Sequence, residues 1–219
     1  MEVPKNENAG NRKLWKRKGQ KATHKMGKLF CIMGKSASGK DSIYEKLLAQ
    51  REFPLSHVVP YTTRPIRSGE EDGVSYHFLT EQQLRELEAA GKVIECRTYQ
   101  TIHGPWNYFT VDDGQIDLTN KNAALIVTLE GYRSMRAFFG EENIVPIYIE
   151  VEDGERLSRA LSRERAQEHP KYEEMCRRFL ADQEDFSEEH LKDCQITKRF
   201  ENISMEKTIE DILKYMKTC

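Results

Sequence analysis

The segment Gly34-Lys35-Ser36-Ala37-Ser38-Gly39-Lys40 constrains this chain more than any other. It spells G-x-x-x-x-G-K. The apolar run Lys28–Met33 (KLFCIM) precedes it, and Ile43, Leu47 and Leu48 follow at helical spacing. That context predicts a buried strand, a tight loop and a helix opening at Lys40. The glycines let backbone N–H groups wrap a phosphate, the helix N-terminus adds positive potential, and Lys40 can reach the terminal phosphates. Gly34, Lys35, Ser36, Ala37, Ser38, Gly39, Lys40, Asp41 and Ser42 are therefore candidate nucleotide ligands, with Lys40 also catalytic. A ligand-free turn is the plainer alternative, and the strand–loop–helix setting weighs against it. After Lys40 such loops usually carry Ser or Thr, whose hydroxyl ligates Mg²⁺. Here Asp41 stands there. A carboxylate beside a triphosphate must either hold the cation or turn away at the helix start, where its charge suits the dipole. The metal role is the expectation.

Further along, short apolar runs alternate with helical patterns. His57–Val59, Lys92–Tyr99, Trp106–Val111, Ala123–Leu129 and Ile144–Val151 are predicted strands, and Tyr61–Val74 reads as a basic loop. Helices are predicted after the Thr80/Gln83 capping box through Ala90, and over Glu155–Arg165, Lys171–Phe186 and Met205–Met216. The alternation predicts an α/β doubly wound parallel sheet with an inserted β-rich lobe at about 60–112.

Charge divides the chain unevenly. Residues 1–25 hold eight Lys/Arg and two Asp/Glu, so residues 26–219 hold 26 and 34 and the body is acidic. Nothing here resembles a nucleic-acid protein held by bulk positive charge, and no run is long and apolar enough to span a membrane. The five cysteines are odd in number and form no C-x-x-C pair, which points away from zinc and disulfides and toward a reducing, cytoplasmic setting. Residues 1–26 have no apolar segment of a secretory signal and are expected to be a disordered basic extension, or to precede a true start at Met26.

The run Tyr61-Thr62-Thr63-Arg64-Pro65-Ile66-Arg67-Ser68-Gly69-Glu70-Glu71-Asp72-Gly73-Val74-Ser75-Tyr76-His77-Phe78 carries a pattern, T-T-R-x-x-R-x-G-E-x-x-G-x-x-Y-x-F, that closely resembles the guanylate kinase family. With the phosphate loop, the resemblance covers about residues 27–217. It implies a P-loop fold with a nucleoside-monophosphate lobe at 60–112 and a helical lid at about 155–188. It also implies a Mg²⁺-dependent transfer from ATP to GMP or dGMP, with small nucleotides as partners and neither nucleic acid nor membrane.

By position, the resemblance implies that Arg64, Arg67 and Tyr76 bind the acceptor phosphate. Planar guanidinium forks suit such a clamp. Glu95 falls where the family reads guanine. A carboxylate can accept from N1–H and the exocyclic amine together, which adenine cannot offer. His103 would replace a phosphate-binding Tyr, and Thr128 lies among the acceptor residues. Arg159, Arg163 and Arg178 match the lid arginines and count, with Lys40 and Arg64, as catalytic; Asn202 aligns near adenine. Alone, arginines on Glu-rich helices read as exposed i,i+4 pairs. Four positions depart from the pattern: Asp41, Pro60 in place of a guanine-edge Ser, and Ile126 and Thr128 in place of a D-x-D. Asp41 or Glu130 could offset the missing aspartates. These departures keep two alternatives in view, a different phosphorylated acceptor and a non-catalytic binding module of the same fold.

Overall fold

The computed structural model describes residues 26–67, 69–101 and 104–219; the basic extension before Met26 lies outside them. In chain order the elements are β1 (Leu29–Met33), α1 (Lys40–Leu48), β2 (Leu55–His57), β3 (Tyr61–Thr62), β4 (His77–Phe78), α2 (Glu81–Ala89), β5 (Val93–Thr101), β6 (Gly104–Val111), β7 (Asn122–Ile126), α3 (Leu129–Phe139), β8 (Ile144–Glu150), α4 (Asp153–Arg165), α5 (Tyr172–Asp185), α6 (Glu188–Asp193), β9 (Arg199–Glu201) and α7 (Met205–Met216).

Five strands form a parallel sheet in the order β2-β7-β1-β8-β9. All of β1 is buried because both faces of the sheet are covered. Strand side chains alternate between faces. Leu29, Cys31 and Met33 therefore pack with Tyr132, Met135, Phe186 and Leu191 on one side. Phe30 and Ile32 pack with Ile43, Leu47, Ile209 and Ile212 of α1 and α7 on the other. From β1 the chain runs out to β2 and β7 on one flank, and later to β8 and β9 on the opposite flank. The carboxyl end of β1 is thus the switch point where α/β sheets bind ligands.

The remaining strands form a separate sheet, β4-β3-β6-β5, over a small core of Leu84, Phe109 and Val111. Its helix α2 begins with the expected capping box: Thr80 Oγ1 accepts from the Gln83 N–H, and Gln83 Oε1 accepts from the Thr80 N–H.

Several expected boundaries moved. The segment read as a loop at 61–74 contributes β3, which borrows its partners from β4 and β6. The run Ala123–Leu129 is not one strand. Thr128 caps a helix by accepting from the Gly131 N–H, so Leu129 opens α3. Cys31 is fully buried, whereas Cys96 is half-buried.

Candidate functional site

The loop after β1 is held open by backbone geometry that its residues were chosen for. Gly39 has φ 85° and forms the N-cap of α1, and Ala37 has φ 61°. A Cβ on Gly39 would sit 2.6 Å from the Asn202 amide nitrogen. One on Gly34 would sit 2.6 Å from the Ile149 carbonyl oxygen. Both positions exclude a side chain. Asn202, expected near adenine, packs against this loop. It is buried, its amide donates to the Ser38 carbonyl (2.8 Å), and its backbone N–H donates to the Glu150 carbonyl (2.8 Å). That amide braces the loop from below.

Lys40 opens α1 with its amine 3.4 Å from the Asp41 carboxylate. Asp41 is 74% exposed along its side chain, and Ser42 is exposed beside it. An accessible carboxylate at a phosphate loop fits Mg²⁺, which keeps several waters and takes one or two carboxylates plus substrate phosphates. Among the described residues no group of three or more His, Cys, Asp or Glu side chains could cage a metal alone. Thr128 is engaged as a helix cap and Glu130 is exposed in the first turn of α3.

A second feature of the loop was not legible in the sequence. Arg156 of α4 is 1% exposed. Its Nε and Nη2 donate to Asp153 Oδ1 (3.1 and 2.8 Å), and its Nη1 donates to the Ser36 carbonyl (3.0 Å). Phe179 of α5 lies under the guanidinium at 4.7 Å. Asp182, also on α5, accepts from the Ser36 N–H (2.7 Å) and faces Arg156 Nη1 at 3.5 Å. Lys35 pairs with Asp153 (3.7 Å) and donates to the Gln183 side chain. Burial alone would raise the Asp153 pKa, but hydrogen bonds from Gln183 and Arg156 and the nearby Lys35 charge hold it below its usual value. Helices α4 and α5 are thereby fastened to the phosphate loop.

The predicted lid arginines ride on the same two helices. Arg159 donates to Glu155 (2.8 Å) and to the Asn202 carbonyl (3.2 Å), next to the loop. Arg163 is exposed on α4. Arg178 is exposed and shares Glu174 with Arg177. The structure thus brings Arg159 to the loop's base and leaves Arg163 and Arg178 at the surface.

In the smaller sheet, Arg64 is buried and its fork meets Glu70, with Nη1 at 2.7 Å and Nη2 at 2.5 Å from the carboxylate oxygens. The guanidinium stacks on Tyr76 (5.0 Å) and Phe78 (5.4 Å). Glu70, with the Tyr108 phenol adding to it, holds Arg64 charged despite burial. In return Arg64 pulls the Glu70 carboxyl down to about 2. Arg64 Nε is buried without a hydrogen-bond partner. Arg67 is exposed and lies over the Trp106 ring at 5.8 Å. The arginine-bearing segment is itself pinned: Thr62 Oγ1 donates to the Asn107 carbonyl (2.8 Å), and the Asn107 N–H donates to Thr63 Oγ1 (3.0 Å). His103 lies outside the described residues.

Glu95 is inside β5 and its side chain is 3% exposed. Thr110 Oγ1 donates to Glu95 Oε1 (2.9 Å), and Arg97 Nε donates to Glu95 Oε2 (3.0 Å). A Cβ on Gly131 would lie 3.6 Å from Thr128 Oγ1 and 3.7 Å from Glu95 Oε2, so both side chains border the start of α3. Sequence reasoning missed Arg156, Asp182, Arg97 and Thr110. The pattern of α4 would have misled for one of them: its buried stripe is Arg156, Ala160 and Glu164, while the apolar Leu157 is exposed.

The family model described as "Guanylate kinase" matches residues 26–219. A guanylate kinase of Gluconobacter oxydans is 32% identical over 160 residues, 71% of each chain. One from Vibrio cholerae is 31% identical over 140 residues, 62% of this chain and 64% of that one. One from Schizosaccharomyces pombe is 29% identical over 106 residues, so the chain spans about half of that protein's length (52%). The crystal structure of guanylate kinase from Anaplasma phagocytophilum superposes with a TM-score of 0.58 at 19% identity, over 88% of this chain and 86% of that one. That likeness speaks for the shared fold.

Proposed function

The chain belongs to the guanylate kinase family, and from that premise we propose that it transfers the γ-phosphoryl group of ATP to GMP or dGMP, giving ADP and GDP or dGDP. The observation that carries the proposal is Arg64: a buried guanidinium, fixed by Glu70, with one N–H left without an acceptor. A buried donor with no partner costs free energy, and an anionic oxygen entering the lobe would remove that cost.

In this reading the loop from Gly34 to Asp41 holds the donor phosphates, and Lys40 neutralises charge on the transferring group. Asp41 would hold Mg²⁺ together with the nucleotide phosphates. The ion would supply charge neutralisation and alignment of the β- and γ-oxygens. Arg64, Arg67 and Tyr76 fix the acceptor phosphate, and Glu95 takes an N–H of the base. The acceptor phosphate is already largely dianionic near neutral pH, so no general base is required. The rate then rests on in-line positioning and on donors fixed in place before the reaction. Arg159 is placed beside the loop, and Arg163 and Arg178 reach it as α4 and α5 close over bound substrates, expelling water. A different phosphorylated acceptor is the second reading, favoured by Glu95 already being paired with Arg97.

ADP release measured over GMP, dGMP, AMP, UMP and CMP tests this. Turnover with GMP that is lost in Lys40→Ala supports it, and no turnover with any acceptor sinks it.

A further inference from the structure

A carboxylate offers about four lone-pair positions, two on each oxygen. In Glu95 three are taken. Oε1 accepts from Thr110 Oγ1 at 2.9 Å and from Arg97 Nη2 at 3.5 Å, while Oε2 accepts from Arg97 Nε at 3.0 Å. Two adjacent nitrogens of one guanidinium reaching both oxygens is the side-on fork geometry, which uses the edge the two oxygens share. Guanine's N1–H and 2-amino N–H donate in parallel and need that same edge. One position remains, on Oε2, the oxygen 3.7 Å from where a Gly131 side chain would begin.

Arg97 is well fixed where it stands. It lies two residues from Glu95 on the same face of β5, and both side chains are largely out of solvent, at 19% and 3% exposure. Its charge also acts on Tyr76, the residue that stacks against Arg64. Thr110 lies across the sheet on β6, paired directly with Glu95.

Resting on the proposed nucleotide kinase reading, we propose that Arg97 and Thr110 are positioning residues that make Glu95 a one-point reader of the acceptor base. The site then selects 6-oxopurine monophosphates by N1–H alone and treats IMP much as it treats GMP. Hypoxanthine keeps N1–H and lacks only the 2-amino group, for which Glu95 has no acceptor left. Adenine presents a bare N1 lone pair to the carboxylate and is rejected. A pocket built to bond a group discriminates against its absence by about 10⁴-fold or more, whereas a pocket without that bond discriminates far less.

The test is kcat/KM for GMP, IMP and AMP with the full chain, its Arg97→Met and its Thr110→Val variants, each checked for folding by thermal denaturation. The wild type is expected to use GMP and IMP within about tenfold of each other and to reject AMP. Arg97→Met frees the shared edge and is expected to raise the GMP-to-IMP ratio by about tenfold or more. Thr110→Val frees one position on Oε1 and shifts the ratio the same way by less. Loss of a merely structural residue would lower both rates together. A wild-type preference for GMP above about 10³-fold, or a ratio unmoved in whichever variants fold, overturns the proposal. If no nucleoside monophosphate is turned over, the kinase reading fails separately, and calorimetric titration of GMP and IMP judges this one. Equal affinities support it, whereas a hundredfold difference or binding of neither overturns it.

Discussion

Replacing Arg156 by Met keeps most of the side-chain volume and removes the guanidinium donors that help fasten α4 to the phosphate loop, while the Ser36 N–H to Asp182 and the Lys35 contacts remain. The wild-type guanidinium is 1% exposed, bonds Asp153 twice, bonds the Ser36 carbonyl, and stacks on Phe179. Removing one partner of a buried ion pair costs about 3–5 kcal/mol, because the other charge is left behind. Here the remaining carboxylates differ: Asp182 is mostly buried, but Asp153 keeps 44% of its side-chain exposure and regains water. The lower end, about 3 kcal/mol, is therefore expected. Equilibrium urea unfolding followed by tryptophan fluorescence measures it, as a lower midpoint at unchanged slope. Because the same bonds hold Ser36, the KM for ATP should rise while the KM for the acceptor stays within about twofold, the clamp around Arg64 being untouched. A loss below about 0.5 kcal/mol, as for an ordinary surface substitution, would refute the argument that Arg156 anchors the loop.

Two further outcomes follow from single contacts. Gly39→Ala places a methyl at φ 85° and 2.6 Å from the Asn202 amide, so it should cost at least about 1–2 kcal/mol from the left-handed backbone alone and weaken ATP binding measured by calorimetry. Glu70 has its carboxyl held at about 2, against an ordinary 4.5, first by the Arg64 hydrogen bond. The folded-state pKa is depressed, so the pair's contribution is complete above about 4.5 and is lost as pH falls toward 2. Urea midpoints across that window should fall more steeply for the wild type than for Glu70→Gln; parallel curves would contradict the pairing.

The parts of the fold that were legible in the sequence are those where local pattern and tertiary role agree. The run Leu29–Met33 is apolar throughout because both its faces are covered, and α7 spans Met205–Met216 as its periodicity predicts. The loop between β1 and α1 was legible because its glycines serve conformation and close packing at once. Where an element leans on its neighbours, the pattern was silent. Strands β3, β4 and β9 have two or three residues each, and their partners come from distant segments. Helix α3 was hidden because apolar Ile126, Val127 and Leu129 flank a single Thr128, and only that cap separates the strand end from the helix start.

The site divides the same way. Arg64 could be named in advance because the long motif over 61–78 fixes its register, and Glu95 because of its place after that motif. Arg97 and Arg156 were missed because a lone arginine in a strand or helix reads as solvated, and only packing shows the charge to be enclosed. For Asn202 the register placed only the backbone, and the bond from its amide to the Ser38 carbonyl was not legible in the sequence.

Phosphorus NMR of a mixture of this protein, Mg²⁺, ATP and GMP tests the central claim most directly. The account predicts the β-phosphorus signal of GDP growing one for one with ADP, and no such signal with Lys40→Ala. Unchanged ATP, or inorganic phosphate appearing without GDP, would contradict it.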